Sequence, residues 1–251
     1  MDAQYASMWS ARQDPLRERE LRVFHAWSAA VADETSAARC RALLSEDELA
    51  REQRFRFAED RQSYLMAHAL VRHVLSQLCG VAPGELRFAS GEHGRPELSA
   101  PQRTPRLRFN LSHTRGLVAC GVALEHDVGV DVEHIDRRLE VDRLAESVFS
   151  ESERAALYAL PPERRRERFF ELWTLKESYI KAVGVGISMP LRAISIDPTA
   201  GAAPTIAFDA PLADDAGAHY LHVRRVGASH MLAAVVRHAV PALVRVEGLT
   251  P

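Results

Sequence analysis

Apolar positions recur at spacings of three and four between residues 60 and 79, where Tyr64, Ala67, Val71, Val74 and Leu78 fall on one face of a helix. Gly80, with Pro83 just beyond it, is the expected stop. Upstream, the run SEDE from Ser45 puts a capping residue before a first turn of acids, and predicts a helix of two to three turns through Arg54. Residues 21–31, LRVFHAWSAAV, alternate as a strand does, and their alanines leave a helix open as the alternative. Residues 1–20 mix small, polar and charged side chains without a period and read as an N-terminal extension.

Further along, a short strand LRFA is followed by the turn SGEHGRP. LRFNLSH and LVACGVALEHDVGVDVE read as two or three strands. A helix is expected from Asp142 to about Val148, and another at FSESERAAL, where Ser150 precedes Glu153 by the three residues of a capping box. Pro161 and Pro162 should end it, and the RRRER run at 164–168 should open a long helix to about Val183, stopped by Gly184 and Gly186. From 190 to 240, apolar stretches broken by Gly, Pro and Asp suggest an antiparallel sheet. Echoes between LSHTRGLVACGVA and ASHMLAAVV hint at two similar halves. The expected fold is α+β, with two similar α/β lobes: an N-terminal lobe at 21–139 and a C-terminal lobe at 140–251.

Composition narrows the chemistry. Of 251 residues, 47% are apolar and 26% charged, which excludes collagenous, disordered and membrane-spanning classes. A formal charge of −2 gives no global field toward nucleic acid or an anionic bilayer, so any anion site must be local. Cys40, Cys79 and Cys120 form no metal-type pair and, being three, cannot all be bridged, which suits a reduced, cytoplasmic setting.

Asp131 and Glu133 lie one residue apart in a strand-like segment, so both carboxylates project to one face and Val130 and Val132 to the other. A hard cation, Mg²⁺ or Mn²⁺, would suit such a pair; a solvated strand end is the plainer alternative. On the long helix Trp173, Glu177 and Lys181 follow at i, i+4 and i+8 along one stripe, which could equally be an exposed ion pair. Lys176, about 100° round the helix from Glu177, is expected to serve structure or the surface. Arg61, His68 and Arg72 form a basic stripe on the 60–79 helix. The RRRER run reads either as a docking patch or as a solubilising face.

The combination of FNLSH, VGVDVE and, about forty residues later, WTLKESYIKAVGVGI resembles the signature segments of the 4'-phosphopantetheinyl transferases, specifically the two-lobed Sfp-type branch. GRPEL, FS-x-S-E and DRQSYLMAHALVRHVL extend the resemblance from about Ser45 to Val236. It implies transfer of the phosphopantetheine arm of coenzyme A to a serine of an acyl, peptidyl or aryl carrier domain, with release of adenosine 3',5'-bisphosphate, in a monomer whose active site lies in the interlobe cleft. By the same resemblance Asp131, Glu133 and Glu177 would hold Mg²⁺, Glu177 would also serve as base, and Lys181 would reach a CoA phosphate. Ser112 and His113 are likewise assigned to CoA phosphates, with Arg95 where many relatives carry lysine, and Arg51, Arg54 and Arg72 toward the adenosine 3'-phosphate. A catalytically silent CoA- or carrier-binding module and a Mg²⁺-dependent nucleotide hydrolase are the rival readings; no Walker-type loop supports the second. Fatty acid, polyketide and nonribosomal peptide carriers are not distinguished by the sequence.

Overall fold

The computed structural model describes residues 14–91, 94–101, 104–186, 189–199, 203–210, 212, 214–238 and 243–250. The chain divides into two compact units, Met1–Glu125 with Ala242–Pro251, and His126–Pro241. Both mix helices and sheet, as the α+β expectation requires.

In the first unit, β1 (Glu20–Trp27) is followed by α1 (Glu34–Arg41), α2 (Glu46–Glu52), α3 (Ala58–Cys79), the hairpin β2 (Arg87–Ser90) and β3 (Pro96–Ala100), and the hairpin β4 (Leu107–Thr114) and β5 (Leu117–Leu124). The last strand of the chain, β11 (Leu243–Gly248), returns to this unit and pairs parallel with β1, giving the order β11-β1-β5-β4. Phe24, Val118, Cys120 and Val122 of the sheet pack with Met66, Leu70 and Val74 of α3 in one buried cluster. Burying that apolar stripe, rather than helix propensity, is what holds α3 in place. Gly80 ends α3 at φ 67°, with its N–H on the Ser76 carbonyl, a left-handed cap that glycine enters without steric cost.

The second unit contains β6 (Val128–His134), α4 (Val141–Val148), α5 (Glu151–Tyr158), α6 (Pro162–Val183), β7 (Ile194–Asp197), β8 (Thr205–Phe208), β9 (Tyr220–Val226) and β10 (His230–Val236). An antiparallel sheet, β6-β10-β9, presents Met231, Ala233 and Val235 to Leu172, Leu175, Tyr179 and Ala182 of α6, and β7 and β8 form a separate pair.

Several expectations change. The contact-defined division falls at Glu125/His126, where the chain turns between β5 and β6 with Glu125 at φ 61°, rather than at 139/140. Asp131 and Glu133 therefore belong with α6 in the second unit, not with Ser112 and His113 in the first. Of the N-terminal extension read at residues 1–20, residues 1–13 lie outside the described residues, and β1 begins at its last residue, Glu20. Pro162 opens α6 instead of only ending α5; it occupies the first helical turn, where its missing N–H has no helical partner to lose. The RRRER run is largely spent internally. Arg165 donates to the Tyr158 and Leu160 carbonyls, Arg166 to those of Ile135 and Arg137, and Arg168 pairs with Glu171. Among the described residues no helix is long and apolar enough to cross a membrane.

Candidate active site

Strand β6 and helix α6 build the site from one close approach. Gly129, Asp131 and Glu133 alternate onto the same face of β6, opposite Val235, Ala233 and Met231 of β10, whose side chains belong to the cluster around α6. A Cβ at Gly129 would lie 1.9 Å from the Ser178 carbonyl oxygen and 2.5 Å from the Ala182 nitrogen. Only glycine lets the helix backbone settle this near the strand. The Ser178 hydroxyl fixes the helix further by donating to the Ala233 carbonyl at 3.0 Å.

The stripe of α6 then meets the two acids in order. Trp173 Nε1 donates to Glu133 Oε1 at 2.8 Å, and four and eight residues on come Glu177 and Lys181, whose Nζ donates to Asp131 Oδ1 at 2.7 Å. Arg137, in the turn after β6, also reaches Glu133 Oε1, at 3.1 Å. Trp173 stacks on Phe169, which holds its indole edge toward the acid. Sequence reasoning placed Trp173 on the stripe without a role and passed over Arg137. The first role needs the register of helix against strand, and the second a turn conformation that no motif encodes.

Charge is concentrated here against the dielectric. Burial, then the neighbouring Asp131 charge, pushes the Glu133 carboxyl up to about 7, against the pull of Arg137, Trp173 and Lys181. Burial and the same Asp131 charge raise Glu177, with Lys181 opposing. Both acids thus share Asp131 as a destabilising neighbour, which groups the three carboxylates electrostatically and leaves an excess of negative charge. An all-oxygen, carboxylate donor set with that excess fits a hard divalent cation in its chemistry. Among the described residues no three acidic, His or Cys side chains already converge as a metal cluster, and protein cations and an indole N–H stand at Asp131 and Glu133.

Lys176 and Glu153 lie outside this group. Lys176 is 1% exposed and donates to the Leu191 and Ile194 carbonyls at 2.7 and 2.6 Å, while pairing with Glu153 Oε2 at 2.7 Å. Glu153 completes the capping box of α5 with Ser150 and accepts the Ile196 N–H. The pair ties α5, α6 and β7 together. Its role is structural, as the angular argument for Lys176 anticipates.

The basic residues of the first unit are distributed unevenly. A cavity of about 1100 Å³ is lined by α2, α3 and the β2–β3 hairpin, and among its walls are Arg51, Arg54, Tyr64, His68 and Arg72. Arg51 and Arg54 are exposed at the end of α2. Arg72 is 3% exposed, with Nε on Glu48 Oε2 at 2.5 Å and Nη1 on the Pro83 carbonyl at 2.6 Å, so its guanidinium already has protein partners. Arg61 turns away to the Phe55 carbonyl. Arg95 is half-buried in the β2–β3 turn beside Ser90 and Pro96, which line the cavity. Ser112 and His113 are successive residues of β4, one buried and one exposed, and strand geometry sends them to opposite faces instead of gathering them at one point.

What these observations define is an α+β protein with a carboxylate–lysine group on one unit and a basic cavity on the other. Comparison with known proteins gives the family. A family model for the N-terminal part of 4'-phosphopantetheinyl transferase matches residues 25–124, and one for the 4'-phosphopantetheinyl transferase superfamily matches 127–235. The 4'-phosphopantetheinyl transferase HetI of Nostoc sp. is 37% identical over 147 residues, 59% of this chain and 62% of that protein. A 4'-phosphopantetheinyl transferase of Bacillus subtilis is 31% identical over 158 residues, 63% of this chain and 68% of that protein. The crystal structure of Thermotoga maritima holo-[acyl-carrier-protein] synthase aligns with 45% of this chain and 62% of that one, at 27% identity and a TM-score of 0.36. The chain belongs to the 4'-phosphopantetheinyl transferase family. The match to HetI spans about three-fifths of that relative's length.

Proposed function

We propose that this protein transfers the 4'-phosphopantetheine arm of coenzyme A to a serine of an apo acyl or peptidyl carrier domain, leaving adenosine 3',5'-bisphosphate, as a cytoplasmic, Mg²⁺-dependent monomer. The observation that carries the reading is the register of α6 on β6, which sets Lys181 on Asp131 and Trp173 on Glu133 inside the segment that matches the family.

In this reading Asp131, Glu133 and Glu177 would hold the divalent cation, which would supply positive charge against the pyrophosphate when bound. Lys181 adds a cation beside Asp131, where it can meet a phosphate oxygen as charge builds in transfer. Glu177, raised by burial, is suited to take the serine proton at its carboxylate, directly or through water. Trp173 and Arg137 share one oxygen of Glu133 and so fix the rotation of that carboxylate. Arg51 and Arg54 supply charge for the nucleotide end of coenzyme A from the cavity wall, and His113, Ser112 and Arg95 remain the proposed contacts to its other phosphates.

The test is mass spectrometry of apo acyl, peptidyl and aryl carrier domains incubated with the protein, coenzyme A and Mg²⁺. One phosphopantetheine arm should appear on the carrier, and Asp131→Ala should remove it while the protein still melts cooperatively. Binding of coenzyme A without modification of any carrier would favour the silent binding module, and coenzyme A cleavage without modification the hydrolase.

A further inference from the structure

The stripe of α6 that meets Asp131 and Glu133 is matched by a tether on the far side of the helix. At 100° per residue, Tyr179 stands about 160° round from both Glu177 and Lys181. It is 1% exposed, and its hydroxyl donates to Asp214 Oδ2 at 2.7 Å. Resting on the phosphopantetheinyl-transfer reading, we propose that Tyr179, through its bond to Asp214, is a positioning residue: it fixes the rotation of α6 and with it the aim of Glu177 and Lys181.

Three features of the molecule lead there. First, Asp214 is tied to more than the helix. It lies in the connection from β8 to β9, with Oδ2 3.4 Å from Nε2 of His219, the residue before β9, and Oδ1 3.8 Å from Nη2 of Arg237, the residue after β10. The carboxylate thus joins α6 to the end of the β9–β10 pair where Tyr220 faces Val236. Burial works against its charge, but hydrogen bonds from Tyr179 and the Asp215 N–H, with the charges of His219 and Arg237, hold its carboxyl below the ordinary carboxylate range. The phenol therefore donates to an anion, the stronger kind of hydrogen bond. Second, the phenol ring is seated among other rings, 5.3 Å from Phe208 and 5.3 Å from His219, whose own Nδ1 is held 2.9 Å from the Asp215 carbonyl. A ring packed in this way passes the pull of its hydroxyl to the helix backbone. Third, the contacts on the stripe side, Lys181 on Asp131 and Trp173 on Glu133, are made with atoms that the proposed reading commits to the cation and the substrate phosphate. A restraint behind the helix stays in place whatever those atoms hold. Tyr179 also lies between Glu177 and Lys181 along the axis. On a helix about 10–12 Å across, a rotation of about 10° moves a side-chain tip by about 1 Å, enough to lower turnover roughly a hundredfold.

The experiment compares the wild-type chain with Tyr179→Phe, Asp214→Ala, Asp214→Asn and the Tyr179→Phe/Asp214→Ala double variant. For each, kcat, KM for coenzyme A and for an apo carrier domain, melting, and the Trp173 indole N–H resonance by NMR are measured. Tyr179→Phe keeps the ring and removes only the hydroxyl, so it should fold. Its kcat should fall by about tenfold or more with both KM values within about twofold of wild type, the signature of misaimed groups and not of lost binding. The Trp173 resonance should shift, because the bond to Glu133 is made from the same helix. Asp214→Ala should reproduce the loss, and Asp214→Asn, which keeps an acceptor for the phenol, should recover most of it. The double variant should be no worse than either single change, as for two groups that act as one. Unchanged kcat in Tyr179→Phe, losses that add in the double variant, or Asp214→Asn as poor as Asp214→Ala overturns the proposal and leaves Tyr179 as packing. Should the wild-type chain modify no carrier, the transfer reading fails by itself; the Trp173 resonance then decides the tether, which falls if Tyr179→Phe leaves it unmoved.

Discussion

Two lysines five residues apart on α6 show how far a side chain's surroundings decide its work. Lys176 is buried on Glu153 and backbone carbonyls, and burial lowers its pKa despite the partner acid. Lys181 keeps 29% of its side chain exposed on Asp131. Replacing Lys176 by Ala strands Glu153 as a buried, unpaired charge and should cost about 3–5 kcal/mol of stability, with near-normal turnover in the molecules that remain folded. Lys181→Ala should shift melting far less and lower kcat by an order of magnitude or more if Lys181 meets transferring phosphate, roughly 1.4 kcal/mol per tenfold. Thermal melts and single-turnover rates on both variants separate the two roles; the reverse pattern would mean that α6 presents its other face to the substrate. Glu48 yields a pH test. Burial works against its charge, but hydrogen bonds from His68, Ser45 and Arg72 hold its carboxyl down at about 2 in the folded protein. That lies below the ordinary 4.5 of an unfolded chain, so it stabilises the protein at neutral pH, and that contribution is lost as pH falls from about 4.5 toward 2. Denaturant melts of wild type and Glu48→Gln should differ by up to about 3 kcal/mol at pH 6 from this linkage and converge near pH 2. A constant difference across that range would place the effect in packing.

At the scale of elements, the β6–α6 contact governs the candidate site through backbone distance. Because a Cβ at Gly129 would overlap the helix backbone, Gly129→Ala must move α6 outward, and the far ends of Trp173 and Lys181 move with it. Overpacking of this kind costs about 1–3 kcal/mol, and a carboxylate displaced by an ångström is enough to lower turnover strongly. The expected result is a folded protein with reduced kcat and a lost tryptophan fluorescence signature of the Trp173–Glu133 contact. Unaltered kcat with lowered stability would separate the approach from chemistry. The helix starts at Ser45 and Ser150, by contrast, were legible in sequence, the second as a capping box, because the signal lies within four residues; the structure adds that Ser45 and Glu48 form a capping box too.

Across the whole molecule, the last strand is the feature that chain order conceals. β11 pairs with β1 from Glu20↔Leu243 to His25↔Gly248, more than two hundred residues apart in sequence. A chain ending after His238 loses that strand and exposes one edge of β1. Its first unit should melt earlier and exchange the amides of β1 faster, whereas the amides of β10 should keep their protection. Hydrogen exchange resolves the two, and uniform loss of protection would show that the units do not unfold separately.

What the sequence determined alone was what periodicity and short motifs carry: the helices at 58–79 and 162–183 within two residues at each end, the two or three strands that prove to be three between 107 and 134, the helix starts at Ser45 and Ser150, and the family. The shared face of Asp131 and Glu133 and the stripe of Glu177 and Lys181 were legible for the same reason, since alternation along a strand and an i, i+4 spacing fix side-chain direction locally, whereas their assignment to a site came from the family resemblance and is a proposal. Contacts formed across the chain were decided only in three dimensions. These were the break at Glu125 that moves the acids into the unit of α6, the return of β11, the burial of Arg72 against the exposure of His68, and the internal use of Arg165 and Arg166. Arginine spells the same charge in sequence whether it faces water or a carbonyl. Which of the two it meets depends on loop ends and distant strands whose positions follow from packing the two cores, and no local pattern records that.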